Sequence, residues 1–436
     1  MTEPLLNLTS SWFGYVSVAI FLLAYVLVIF EEAIDLRKSK PVLIAAGLIW
    51  ALIGFAYMQS GQSEIAEKAA QHIIYEYGEL FLFLLVAITY VNTLEERRVF
   101  DVLRAKLTER GLSYRQLFWL TGILAFCLSG VLDNLTTALI MGAVVLAVGV
   151  NSPRFVAIAC VSIVVAANAG GAFSPFGDIT TLMVWQKGKV EFFEFFVLFL
   201  PSLVNWLVPA LLMHFAIPQE TPKPVIEKTR LKAGAMAVVV LLALTIATAV
   251  SFRNFLGLPP ALGMMLGLGY LQVLAYILEV KSRRGENTDM VLNTFKQIER
   301  VDWDTMLFFF GIIFAVGGLG VFGYLALANQ FLYGQFGPTI ANISIGVLSA
   351  IVDNIPLMFA VLKMDPVMSH GQWLLITLTA GVGGSLLAIG SAAGVALMGI
   401  AKGRYTFMSH LKWTWAVALG YVASIGVHLV LNRALF

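Results

Sequence analysis

The sequence predicts an all-α polytopic membrane protein with inverted-topology repeats, interrupted helices, two hairpin-like re-entrant segments and about ten full crossings. The first observation is composition: 59% of the 436 residues are hydrophobic and 12% are charged, about half the charged share of soluble domains, which is near 25%. Mean hydropathy is +0.86 along the chain, which excludes an ordinary soluble enzyme. The second is run length: many apolar stretches reach about 20 residues, enough to cross roughly 30 Å of hydrocarbon as a helix. The third is a pair of motifs that occurs twice and interrupts some of those runs. The roughly ten-residue alternating segments of a transmembrane barrel are not seen.

Taken in order, uninterrupted apolar runs cover Trp12 to Phe30, Pro41 to Met58, Gly78 to Leu94, Phe192 to Phe215, Ala233 to Val250, Pro259 to Val280, Asp304 to Leu325 and Trp413 to Leu431. The opening MTEPLLNLTSSWF lacks the basic region of a cleavable signal, so the first run is expected to stay in the protein. Gln116 to Val150 and Thr339 to Val361 are broken at their middle by an Asp-Asn pair, and Phe155 to Trp185 and Trp373 to Ile400 by glycine-rich stretches. Cys127 and Cys160 lie inside apolar runs and fit no disulfide or metal spacing.

Orientation follows from the basic residues, which are retained on the cytoplasmic side. Five clusters, Arg37 to Lys40, Arg97 to Arg115, Lys223 to Lys232, Lys281 to Arg300 and Lys402 to Lys412, hold 21 of the 28 Lys and Arg. If each Asp-Asn region enters and returns on one side, all five clusters share a face and both termini lie opposite it. The net charge of +2 is small and dispersed, so nucleic acid is not an expected partner.

The motifs superpose at fixed offsets. GVLDNLTT contains Asp133 and Asn134, and SAIVDNIP contains Asp353 and Asn354, 220 residues on. NAGGAFSPFGD, from Asn168 to Asp178, superposes on GVGGSLLAIGS, from Gly381 to Ser391, at an offset of 213. The first Asp-Asn segment follows a basic loop and the second an uncharged one, so the copies are inverted. The expected organisation is N-terminal transmembrane helices over residues 1–78, a first repeat over 79–232 and a second over 233–436. Inverted repeats with interrupted helices point to a secondary transporter whose site lies at the midplane.

Non-helical backbone at membrane depth survives only where protein or a water-filled cavity satisfies it. Pro175, Pro356 and the motif glycines favour such breaks, whose free carbonyls can hold a cation. Asp133, Asp178 and Asp353 are the acids in these stretches, which contain no Lys or Arg. Each carboxylate costs about 2.5 to 3.5 kcal/mol at a helix centre, so a cationic partner is expected. Protonation and a bound hard cation exclude one another at such a group, which gives exchange by competition. Thr136, Thr137, Asn168, Ser174, Thr180, Thr181 and Asn354 are candidate neutral oxygen ligands.

The strings DNLTTALIMG, NAGGAFSPFGDITTLMVW, DNIP and GGSLLAIGSAAGVA, in this order, resemble the NhaD-type sodium/proton antiporters of the ion transporter superfamily. The resemblance implies exchange of external protons for cytoplasmic Na+ or Li+ by alternating access in a bacterial inner membrane, with no cofactor. It assigns ion handling to Asp133, Asn168, Asp178, Thr180, Thr181, Ser349, Asn354 and Ser391. With the other motif positions, Asn134, Thr136, Asp353 and Ser385, these form the candidate set, with Na+ at Asp133 and Asp178. Ala388 stands where this family is expected to carry a hydroxyl. The expected partners are sodium, lithium, protons and the lipid bilayer, with a homodimer left open. The wider superfamily also carries dicarboxylates, citrate or arsenite, and a sodium-coupled carrier of that kind is the alternative.

Blander readings stand beside these. Asp-Asn pairs are also helix caps, and glycines also serve close helix packing. Gly318, Gly320 and Gly323 match a nucleotide fingerprint, but in an apolar span without a preceding strand. His72, His214, His370, His410 and His428 read as interfacial or loop histidines, Trp185, Trp413 and Trp415 as interface anchors, and Glu95 to Arg115 as a solvated cytoplasmic surface or an amphipathic helix. Phe176-Gly177-Asp178 resembles part of an intramembrane aspartyl protease motif, but Pro175 occupies the first glycine's place.

Overall fold

The computed structural model describes residues 6–222, 229–284 and 291–436. The first part of one basic cluster, at 223–228, and the middle of another, at 285–290, lie outside the described residues. Eighteen helices carry the architecture, in order α1 (Trp12–Ile29), α2 (Ser39–Gln59), α3 (Ser63–Glu96), α4 (Val99–Thr108), α5 (Tyr114–Ser129), α6 (Asn134–Val148), α7 (Pro153–Gly171), α8 (Ile179–Gln186), α9 (Phe199–His214), α10 (Ala235–Leu256), α11 (Pro260–Arg283), α12 (Trp303–Phe322), α13 (Phe336–Leu348), α14 (Asn354–Met364), α15 (His370–Gly383), α16 (Ala392–Ala401), α17 (Phe407–Leu411) and α18 (Thr414–Leu431). Nine helical stretches among the described residues are long and apolar enough to cross a membrane. The chain is a multi-pass membrane protein, and the α15–α16 pair, broken at residues 384–391, accounts for the tenth crossing expected.

Local chemistry places the ends. A Ser113 and Gln116 capping box opens α5, Ser152 caps α7 just before Pro153, and Ser369 caps α15. Gly257, at φ +64°, and Pro259-Pro260 make the corner between α10 and α11.

The described residues divide into two compact units. One holds residues 1–94, 233–335 and 359–366; the other holds 95–232, 336–358 and 367–436, so α14 begins in the second and ends in the first. In the first unit α2 lies against α12, where Gly311 and Gly318 admit Val42 and Ile49. The Tyr90 hydroxyl donates to Gly267 O at 2.7 Å and accepts from Thr245 at 2.9 Å, pinning α3 to α10 and α11. Leu22, Leu23 and Val26 on α1 and Met236, Val240 and Leu244 on α10 are exposed, an apolar surface that suits lipid. A cleft of about 610 Å³ in this unit is lined by His72, Asn329, Gln330 and Lys363 among apolar residues.

The second unit is built on α7 and α15, both almost entirely buried. Hairpin α5–α6 and helices α9 and α16 pack against α7, while α13 and α18 pack against α15.

Three readings of the sequence are corrected. Trp185 is fully buried among Phe176 and Phe192, so it belongs to the core and is no interface anchor. His410 and His428 are also fully buried, because backbone carbonyls in the core hold their ring nitrogens. Within the charged stretch the exposed residues are Glu95, Arg98, Lys106 and 109–111, whereas Arg97 is wholly buried, with Glu96 gripping its guanidinium at 2.9 and 3.1 Å.

Candidate ion-binding site

The site grows from two helix breaks and two hairpin tips. α7 stops at Gly171, residues 173–177 turn, and Asp178 starts α8 as its N-cap. Non-helical backbone here is enforced by close approach. A Cβ on Gly177 would strike the Ser129 carbonyl, and one on Gly170 would strike the Phe126 carbonyl.

Asp178 is 7% exposed. Its Oδ1 accepts from Thr180 N at 2.9 Å and Thr180 Oγ1 at 3.0 Å. Its Oδ2 accepts from Asn134 Nδ2 at 2.7 Å and Asn354 Nδ2 at 3.1 Å. Asn134 and Asn354 are the equivalent residues of the two Asp-Asn motifs, so both copies deliver an amide to one carboxylate. The N-terminus of α8 adds a favourable dipole. Asn134 also donates to Asn168 Oδ1 at 3.2 Å, and its own Oδ1 takes the Ser129 hydroxyl at 2.8 Å. Asn168 Nδ2 and Thr137 Oγ1 are buried without a hydrogen-bond partner, and buried polar groups are seldom left so.

The remaining candidates fall into separate places. Asp133 caps α6, accepting from Thr136 N at 2.8 Å and Thr136 Oγ1 at 2.6 Å. No hydrogen bond among the described residues joins it to Asp178. Asp353 precedes α14, half-buried and within electrostatic reach of Asp178. Thr181 Oγ1 lies 2.8 Å from Ser174 O and 2.6 Å from Asp178 O, closing the first break. Ser391, the counterpart of Asp178, caps α16 through Gly394 N at 3.2 Å. Ser385 donates to Val382 O at 2.6 Å.

Ser349 donates to Ala380 O at 3.0 Å, and Ser129, 220 residues earlier, lies 2.7 Å from Ala167 O. The partners are 213 apart, so the repeat holds down to the placement of single hydroxyls. Sequence reasoning missed Ser129, although the offset from Ser349 points straight to it.

Chemically the cluster is one carboxylate among amides and hydroxyls. Among the described residues no three His, Cys, Asp or Glu side chains gather as a metal cluster would require. An amide offers oxygen or nitrogen according to its rotation, so Asn134, Asn168 and Asn354 can face either a carboxylate or a cation.

A family model described as citrate transporter matches residues 25–381. The chain is 54% identical to the Na(+)/H(+) antiporter NhaD of Vibrio cholerae, over 99% of this chain and 94% of the relative. It is 55% identical to the antiporter of the same name from Alkalimonas amylolytica, over 99% and 93%. Sodium/proton antiporter 1 of Arabidopsis thaliana is 34% identical over 96% of this chain and 72% of its own length. These relatives are transporters and not enzymes. With the motifs, the duplicated breaks and this full-length identity together, the chain belongs to the family of the NhaD antiporters, within the group that the citrate-transporter model describes.

Proposed function

We propose that this protein exports cytoplasmic Na+ or Li+ in exchange for external protons across the bacterial inner membrane, serving sodium tolerance and pH homeostasis. The names of the relatives support sodium/proton antiport. The convergence of Asn134 and Asn354 on Asp178 carries the mechanism. When Asp178 is ionised, a cation replaces the amide N–H groups, and rotation of the amides turns their oxygens towards it. Protonation of Asp178 removes the charge that held the ion, and the amides return to the carboxyl. Because one carboxyl serves both, the two species compete, and opening to one side at a time makes the competition an exchange. In this reading Asp133 is the second carboxylate of the ion path, and Asp353 and Ser391 add polar groups from the second copy.

Asp178→Asn is expected to abolish Na+-dependent ΔpH in everted vesicles while the protein remains in the membrane. Normal exchange by that variant overturns the reading. The citrate description of the family model favours a second reading, sodium-coupled uptake of a carboxylate. A multiply charged anion calls for cationic partners, yet the motif stretches contain no Lys or Arg. Na+-driven uptake of labelled citrate or succinate by vesicles would decide for that reading.

A further inference from the structure

The two broken helices are secured differently. In the first, Thr181 Oγ1 meets the carbonyl of Ser174 from within the motif. The offset of 213 puts Gly394 in the place of Thr181, so the second copy has no hydroxyl there. Two neighbouring carbonyls of that break, the counterparts of those of Ala172 and Phe173, are met from beyond it. His410 Nε2 lies 2.9 Å from Ser385 O, and Thr414 Oγ1 donates to Leu386 O at 2.9 Å. A carbonyl only accepts, so Nε2 carries the proton. Nδ1 is then the acceptor and takes the Tyr405 hydroxyl at 2.7 Å. His410 is fully buried and Tyr405 nearly so. The imidazole is thus filled at both nitrogens, on a short helix, α17, that packs against α7 and the second break. That break adjoins the first, because Gly381 lies against Ala172, the residue that ends α7.

We propose that His410 is a positioning residue for ion binding: oriented by Tyr405 and flanked by Thr414, it fixes the carbonyl end of the second broken helix beside the Asp178 cluster. The inference rests on reading that cluster as the ion site. Burial holds the His410 pKa at about 4, so the ring is a neutral donor over the working range and takes no part in sensing pH.

The test measures exchange in everted vesicles against Na+ concentration and pH, at matched protein amounts, for His410→Ala, His410→Gln and Thr414→Val, with Asp178→Asn beside them. Glutamine places an amide N–H near the position of Nε2 and keeps the bond to Ser385; alanine does not. His410→Ala is expected to raise half-saturating Na+ about three- to tenfold, as loss of one buried hydrogen bond would, with the pH optimum unmoved. His410→Gln restores most of that loss, and Thr414→Val raises half-saturation about twofold. Unchanged half-saturation in His410→Ala, a moved pH optimum, or a glutamine variant no better than alanine overturns the proposal. If His410→Ala fails to reach the membrane, unchanged half-saturation in Thr414→Val overturns it instead. Normal exchange by Asp178→Asn shows separately that the ion-site reading has failed.

Discussion

His410 also makes a statement about stability. Its ring titrates at about 4 against an ordinary 6.5, because burial disfavours the charged form. Between those values the unfolded chain binds a proton that the folded chain refuses, so stability is lost as pH falls through the window. The full window is worth roughly 3 kcal/mol. The melting temperature of the purified protein should therefore drop between pH 6.5 and pH 4.5, and less steeply for His410→Gln; equal slopes would refute the assignment. No pattern in the sequence marks this histidine, since it sits in a basic loop like any interfacial one and only tertiary contact with Ser385 and Tyr405 distinguishes it. Asp178, Asn134 and Asn354 were legible because each interrupts an apolar run and the two asparagines recur at a fixed offset. Which aspartate the asparagines would meet was not legible. Asp133 and Asp178 both begin helices after a break, and only the fold shows that Thr136 occupies Asp133 while both amides go to Asp178.

At the scale of elements, each broken helix crosses the first helix of its own hairpin backbone to backbone. Gly170 on α7 sits against the Phe126 carbonyl of α5, and Gly383 on α15 against the Gly346 carbonyl of α13. The glycines are 213 apart and the carbonyls 220, so this is one joint made twice. A methyl at either glycine meets main chain, which no rotamer change can move aside. Gly383→Ala should therefore destabilise by about 1–3 kcal/mol, the usual cost of overpacking. Gly399→Ala, on α16 with open space around it, should be neutral or slightly stabilising. Thermal unfolding in detergent checks the pair, and equal melting temperatures would show that the joint yields. The duplicated glycines were readable from the sequence; their partners were not, because Phe126 and Gly346 share no chemistry and contribute only a carbonyl.

For the whole molecule, scarcity of charge becomes a prediction of topology. Loops that carry 21 of 28 basic residues should share the cytoplasmic face. With α2 and α3 joined at residues 60–62 and α11 ending at Arg283, parity then puts Ser60 outside and Arg284 inside. Both are exposed, and of the two native cysteines Cys160 is buried, so replacing Cys127 by serine gives a quiet background. In that background a membrane-impermeant maleimide should label Ser60→Cys in spheroplasts and Arg284→Cys only in everted vesicles. The reverse pattern would invert every side assignment, and labelling of both from one side would break the parity on which the inverted repeat depends.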